Sequence, residues 1–157
     1  MVQLITIRGN SGSGKSSVAK AVRQKLKIKT ALIEQDYFRR IVLKEKENAE
    51  DADIVDFLSI AVRFLVERDY TIILEGILPS QKYRDMLLDL NTDFLALHFY
   101  MEVSFQETLR RHDTKPNRDE FGFRELREWF RSKDHLSVTN EILIPEHCSL
   151  NQAADMI

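Results

Sequence analysis

Glycine is scarce in this chain: five of its 157 residues, about 3% against a usual share of roughly 7%. Three of the five fall between Gly9 and Gly14, so the backbone freedom that glycine confers is concentrated at one place. Cysteine occurs once, at Cys148, which excludes an intrachain disulfide and a zinc site built on cysteines and fits a reducing compartment. With three prolines and one tryptophan, the composition has no bias that would mark a collagen-like, mucin-like or disordered chain. Neither sign of charge prevails: 23 basic residues face 25 acidic ones for a net charge of -2. A nucleic-acid groove is therefore possible but not favoured, because no dense basic stripe with interleaved aromatics is present. Long apolar runs are missing too. The most apolar stretch, residues 54–66, contains Asp56 and Arg63 and falls short of the roughly 18 apolar residues a membrane span needs. The first strand candidate starts at residue 3 and leaves no room for an export leader ahead of it, so a cytoplasmic protein with no membrane partner is expected.

What is present is 43% hydrophobic and 31% charged residues, in a length that normally makes one domain with a real core. A single domain over 1–157 is expected. Short β-rich runs alternate with helical patterns, which predicts an α/β chain with a parallel sheet covered on both faces. The strand candidates are 3–7, 30–34, 71–74, 94–100 and 141–144. Helices are expected at 15–27, after Tyr37, at 53–68, 80–90, 104–112 and 124–134, and from residue 150. The clearest is 53–68, where Ile54, Phe57, Leu58, Ala61 and Leu65 form one helical stripe. Asp53, Ser80 and Ser104 have the chemistry of N-caps. Residues 1–40 hold nine Lys or Arg against Glu34 and Asp36, a local excess suited to drawing in a polyanion, although the basic residues of 20–29 suit a solvated helix face.

The glycine cluster reads Gly9-Asn10-Ser11-Gly12-Ser13-Gly14-Lys15-Ser16, the spacing G-x-x-x-x-G-K-[ST] of a Walker A phosphate-binding loop. An alternating apolar strand precedes it and a helix starts inside it. Glycines let the backbone turn its amides inward, so that they and the positive end of the helix meet phosphate oxygens. Lys15 would supply a cation to the β- and γ-phosphates, and the Ser16 hydroxyl would bind Mg²⁺. Gly9 through Ser16, with Ser17 following, are the expected nucleotide-binding residues, and ATP with Mg²⁺ the expected cofactors.

On these residues the sequence resembles the P-loop kinases of small metabolites and nucleosides. The resemblance implies a three-layer α/β/α P-loop NTPase fold, a five-stranded parallel sheet in the order 2-3-1-4-5, and a lid over the nucleotide. The segment Gln35-Asp36-Tyr37-Phe38-Arg39 is similar to that of phosphotransferases acting on antibiotic, toxin-target or polynucleotide hydroxyls. That similarity implies Asp36 as the general base or orienting acid; an N-cap for the following helix is the plainer role. Residues 71–74 followed by Glu75 form a Walker B-like arrangement, and Glu-Gly-Ile-Leu resembles uridine kinase-like enzymes. Glu75 is then expected to hold Mg²⁺ through water or to bind the acceptor, with Gly76 allowing a close approach. The polar stretch 113–122 is the expected lid, and the resemblance assigns Arg111 and Arg118, with Arg110 as a substitute, to the phosphates. The same arginines would also suit a helix's negative end.

The activity implied is transfer of the ATP γ-phosphoryl group to a hydroxyl of a small molecule or nucleoside, by a monomer or homodimer. In a polynucleotide 5′-hydroxyl kinase, the alternative, Arg39 and Arg40 would meet backbone phosphates. A nucleotide-dependent switch is a third reading, but neither an Asn-Lys-x-Asp motif nor an evident Asp-x-x-Gly after the third strand is found. His98, inside an apolar strand, reads as a satisfied buried histidine rather than a ligand. Phe123, Leu126 and Phe130 share a face that suits core packing or lid docking.

Overall fold

A computed structural model describes residues 1–46, 49, 53–114, 122–137 and 140–157. The alternating pattern is realised as β1 (Leu4–Gly9), α1 (Lys15–Lys25), β2 (Thr30–Glu34) and a three-residue helix α2 (Gln35–Tyr37) that continues into a π-helical turn, Phe38–Val42. Then come α3 (Ile54–Val66), β3 (Thr71–Gly76), α4 (Ser80–Asp93), β4 (Ala96–Glu102), α5 (Phe105–Asp113), α6 (Phe123–Trp129), β5 (Glu141–Pro145) and α7 (Leu150–Asp155). The five strands form one sheet in the order β2-β3-β1-β4-β5, and every pairing is parallel. Both the class and the strand order implied by the resemblance hold.

Alternation along the central strands explains the three layers. Leu4 on β1 and Ile72 and Leu74 on β3 pack with Ile54, Leu58 and Val62 of α3 and with Leu87 and Leu90 of α4. Their neighbours Ile5, Ile7 and Ile73 face the other way, onto Val18, Ala19 and Val22 of α1 and Ala153 and Ala154 of α7. A strand buried on both faces reads as a continuous apolar run, and Thr71-Ile72-Ile73-Leu74 is such a run. Each fully buried aliphatic side chain contributes about 2 kcal/mol. His98 is fully buried as expected but only half satisfied: its Nδ1 lies 2.8 Å from Thr6 Oγ1, its Nε2 has no hydrogen-bond partner, and burial lowers its pKa to about 4. Its imidazole is therefore neutral near pH 7.

Three local expectations are corrected. Asp53 takes the cap position of α3 but its side chain makes no cap hydrogen bond; its own amide donates to Glu45 Oε1 at 2.8 Å. Ser80 lies inside α4, behind Pro79, and its amide and hydroxyl both donate to the Asp134 carboxylate. The helix expected over 124–134 ends at Trp129. Ser104, by contrast, accepts from the Glu107 amide as an N-cap should.

The reason α6 stops lies in β1. Arg8, one residue before the phosphate loop, is completely buried. Its guanidinium donates to Glu141 at 2.7 Å, to the Asp134 carboxylate at 3.1 Å and backbone carbonyl at 2.9 Å, and to the Leu78 carbonyl at 3.0 Å, and it lies over the Tyr100 ring. Glu141 in turn accepts from the Leu136 amide. An arginine keeps its charge, so it draws these acceptors inward and holds the segment after α6 across the top of the sheet. Removing an acid from such a network leaves the cation underpaired. Glu141→Ala is expected to cost about 3 kcal/mol in chemical denaturation, far more than the loss of an exposed ion pair.

Candidate active site

The phosphate loop turns by using conformations that side chains rarely adopt: φ is 152° at Gly9, 80° at Gly12 and 92° at Gly14. At Gly12 space is also short, since a Cβ there would lie 2.7 Å from the Thr108 carbonyl of α5. The Ser13 amide closes the turn onto the Asn10 carbonyl at 3.1 Å. Lys15 Nζ reaches back over the loop to the same carbonyl at 3.4 Å. Ser13 Oγ is buried without a hydrogen-bond partner, a polar atom left waiting inside the cradle.

Asn10 reaches out of the loop to grip a distant backbone. Its Nδ2 donates to the Arg131 carbonyl at 2.8 Å, and its Oδ1 accepts from the Arg131 amide at 2.8 Å. The loop thus holds a residue just beyond α6. On its other side, Arg111 donates to the Ser13 carbonyl at 2.6 Å, to the Glu146 carbonyl at 2.7 Å and to Glu107 at 2.7 Å. All three of its nitrogens are engaged in tying α5 to the phosphate loop and to the turn after β5. Arg110 is exposed and doubly bonded to Glu107. Arg118 and most of the expected lid, 115–121 of 113–122, lie outside the described residues.

The acids gather where the parallel strands end, as an open α/β sheet requires. Glu75 on β3 is opposite Glu34 on β2 and Ile7 on β1. Ser16 Oγ donates to Glu75 Oε1 at 3.0 Å, while Glu75 Oε2 is buried with no partner. Burial pushes the Glu75 carboxyl above its usual pKa, although Lys15 and the Ser16 hydroxyl pull it down. A hydroxyl bonded to a carboxylate that has one oxygen to spare suits Mg²⁺, which takes few protein ligands and keeps its other positions for water and phosphate. Among the described residues no cluster of three or more His, Cys, Asp or Glu able to hold a metal alone occurs. Gly76 lets a protein group rather than a ligand come close: a Cβ there would lie 2.8 Å from Gln35 Cβ.

Asp36 lies in the first turn of α2, behind the cap position, so the N-cap role is not the one it plays. Its two oxygens accept from Arg39 at 2.6 Å and Arg40 at 3.2 Å. The arginines expected at polynucleotide phosphates are thus turned onto this carboxylate. Asp36 lines two cavities. One, of about 340 Å³, is bounded by Ser16, Glu34, Tyr37, Arg40, Ile41 and Glu75. The other, of about 380 Å³, is bounded by Gln35, Arg39, Ala49, Ile77, Pro79, Gln81, Lys82, Tyr83 and Arg131. Glu34, Lys82, Tyr83 and Arg131 were not among the residues singled out in the sequence. Only Glu34 carried a legible signal, ending a strand beside Glu75. Elsewhere, α6 docks through Phe123 and Phe130 on Phe105, and Cys148 is half-buried against the α1–α7 core.

No family model matches the chain, and comparison with curated proteins finds no match in sequence. Solved structures do match in fold. The Mycobacterium tuberculosis APS kinase CysC, in complex with AMPPNP and APS, superposes with a TM-score of 0.75 at 19% identity, covering 99% of this chain and 94% of that one. A sugar kinase from Janibacter sp. HTCC2649 gives 0.72 at 14% identity, covering 99% and 92%. A gluconokinase from Sinorhizobium meliloti 1021 gives 0.66 at 16%, covering 96% and 86%.

Glu75 supplies a test of the site. A carboxyl whose pKa is higher folded than unfolded holds its proton more tightly in the native state, so its contribution to stability falls as pH rises through that range. Near pH 7 the buried charge is a cost. Glu75→Gln is therefore expected to raise the melting temperature of the protein free of nucleotide and metal, while weakening Mg²⁺-dependent nucleotide binding in calorimetry. From strand order, phosphate loop and structural likeness together, the chain has the fold of the P-loop small-molecule kinases.

Proposed function

We propose that this protein is an ATP-dependent kinase that transfers the γ-phosphoryl group to a hydroxyl of a small molecule. The observation that carries the proposal is the position of Asp36, shared by a cavity next to the phosphate loop and a second one beyond it. A nucleotide-binding switch needs only the first. A group-transfer enzyme needs a place for an acceptor, with an acid between acceptor and donor.

In this account the loop amides and Lys15 hold the ATP phosphates, and Ser16 with Glu75 holds Mg²⁺, which when bound screens the charge on the β- and γ-phosphates. The acceptor occupies the larger cavity with its hydroxyl at Asp36. The hydroxyl oxygen forms a bond to the γ-phosphorus as the bond from that phosphorus to the β,γ-bridging oxygen breaks; ADP leaves, and Asp36 takes the hydroxyl proton and passes it to water. Arg39 and Arg40 fix the orientation of Asp36. Arg111 is assigned as a positioning residue that keeps the loop in shape through the Ser13 carbonyl, and Arg118 as a further cation for the transferred group. The structural neighbours, a sugar kinase and a gluconokinase among them, support a hydroxylated acceptor.

Asp36→Asn is expected to lower kcat by roughly 10² to 10⁴ with ATP binding retained. The check is radiolabelled γ-phosphate transfer over a panel of hydroxylated small molecules, with Lys15→Ala as the blank. Unchanged turnover in Asp36→Asn would remove Asp36 from the role.

A further inference from the structure

The larger cavity carries more positive charge than the transfer step uses. Among the described residues Lys82, Arg131 and Arg39 line it, against the single acid Asp36. Arg39 is committed to Asp36 and to the Glu45 carbonyl. The other two cations are not committed. The Lys82 ammonium is buried and has no hydrogen-bond partner. The Arg131 side chain makes no hydrogen bond or ion pair among the described residues, although its backbone is gripped at both ends by Asn10.

Lys82 is also in an unfavourable place for a cation. It stands in the first turn of α4, a turn with no acidic residue, where the helix end is itself a positive pole. Asp134, the acid that reaches this helix end, is occupied by Ser80 and Arg8. A buried charge without a counter-ion is costly, and among the described residues no hydrogen bond or ion pair offsets it. The cost is removed if an anion enters the cavity. Arg131, held rigidly by the phosphate loop on the same cavity wall, adds a planar donor suited to an oxyanion.

We infer that the acceptor is a hydroxylated anion whose carboxylate, phosphate or sulfate group sits on Lys82 and Arg131 while its hydroxyl is presented to Asp36. The hydroxyl part of this inference rests on the kinase reading; the anion subsite does not. Two cationic sites then share the cleft, one for the donor's phosphates on the loop and one for the acceptor's charge, with Asp36 between them.

The two parts are separable by experiment. With the phosphate loop filled by saturating ADP and Mg²⁺, sulfate, inorganic phosphate and acetate are titrated into the wild-type protein and into Lys82→Met by calorimetry. The expected result is that the tightest of the three anions binds Lys82→Met at least tenfold more weakly, or roughly 1.4 kcal/mol, with ADP affinity as the control for an intact loop. Which anion binds best distinguishes a carboxylate acceptor from a phosphorylated or sulfated one. Arg131→Gln, on an exposed side chain that carries no core packing, is expected to weaken the same anion in the same direction. Equal anion affinities in wild type and both variants overturn the subsite and leave the kinase reading standing. In a second arm, transfer from ATP is measured to glycerol, glycerate and glycerol phosphate. Preference for the neutral member also overturns the subsite. Anion binding that depends on Lys82, with no transfer to any acceptor in a wide panel, counts against the kinase reading alone.

Discussion

Arg8 must be neutralised, and most of the site follows from how the chain does it. A guanidinium cannot give up its proton, so once β1 carries it into the sheet the surrounding segments have to bring acceptors to it. Glu141 comes from the start of β5, Asp134 from the segment after α6, and the Leu78 carbonyl from the approach to α4. Each of these attachments places something else. Asp134 also holds the first residue of α4, which sets Lys82 on the cavity wall. The segment that contains Asp134 passes Arg131 close enough to the phosphate loop for Asn10 to grip it. A buried ion cluster of this kind is poor at adding stability compared with apolar packing. Its effect here is positional: it fixes three separate segments against the strand that feeds the phosphate loop.

The site itself is built from groups left unsatisfied. Glu75 has a buried oxygen without a partner, Ser13 a buried hydroxyl, and Lys82 a buried ammonium. In a core, each of these would be a defect to be removed. They lie at the two cavities and in the phosphate loop, where a metal, a phosphate chain and an anionic group would each supply the missing partner. Stability withheld in the empty protein is returned when ligands bind, and the ligands that return it are those of matching charge. Around these groups several scaffold side chains are extensively bonded. Arg111 is engaged by every nitrogen, Asn10 by both ends of its amide, and Arg39 and Arg40 by Asp36.

Much of this was legible in the sequence where the chemistry is contiguous. The phosphate loop is eight consecutive residues, with Gly9, Gly14, Lys15 and Ser16 at the positions whose type phosphate binding demands. Asp36 and Glu75 follow apolar β-rich runs, and a parallel sheet sends the ends of such runs to one edge. The Ile54, Leu58 and Ala61 stripe announced α3. What could not be read depends on long-range contact. Arg131 looked like one more exposed helical residue because its neighbours have helical spacing; only Asn10, distant in sequence, and the pull of Arg8 on Asp134 end α6 early. Arg8 itself looked like part of a basic excess, since a charged residue closing a strand is ordinarily solvated. Arg111 was expected at the phosphates; it stands beside the phosphate loop and holds the Ser13 carbonyl, a distinction that spacing along a chain does not contain.

The central claim is that the cleft joins a bound donor to an acceptor across Asp36. The most direct test is the fate of the γ-phosphate in a single turnover, with labelled ATP and enzyme in excess over nucleotide and hydroxylated anions offered one at a time. The account predicts that at least one acceptor captures the label on its oxygen much faster than water does, and that this capture is lost in Asp36→Asn. Label found only as inorganic phosphate, at a rate indifferent to every acceptor and to Asp36, would contradict it.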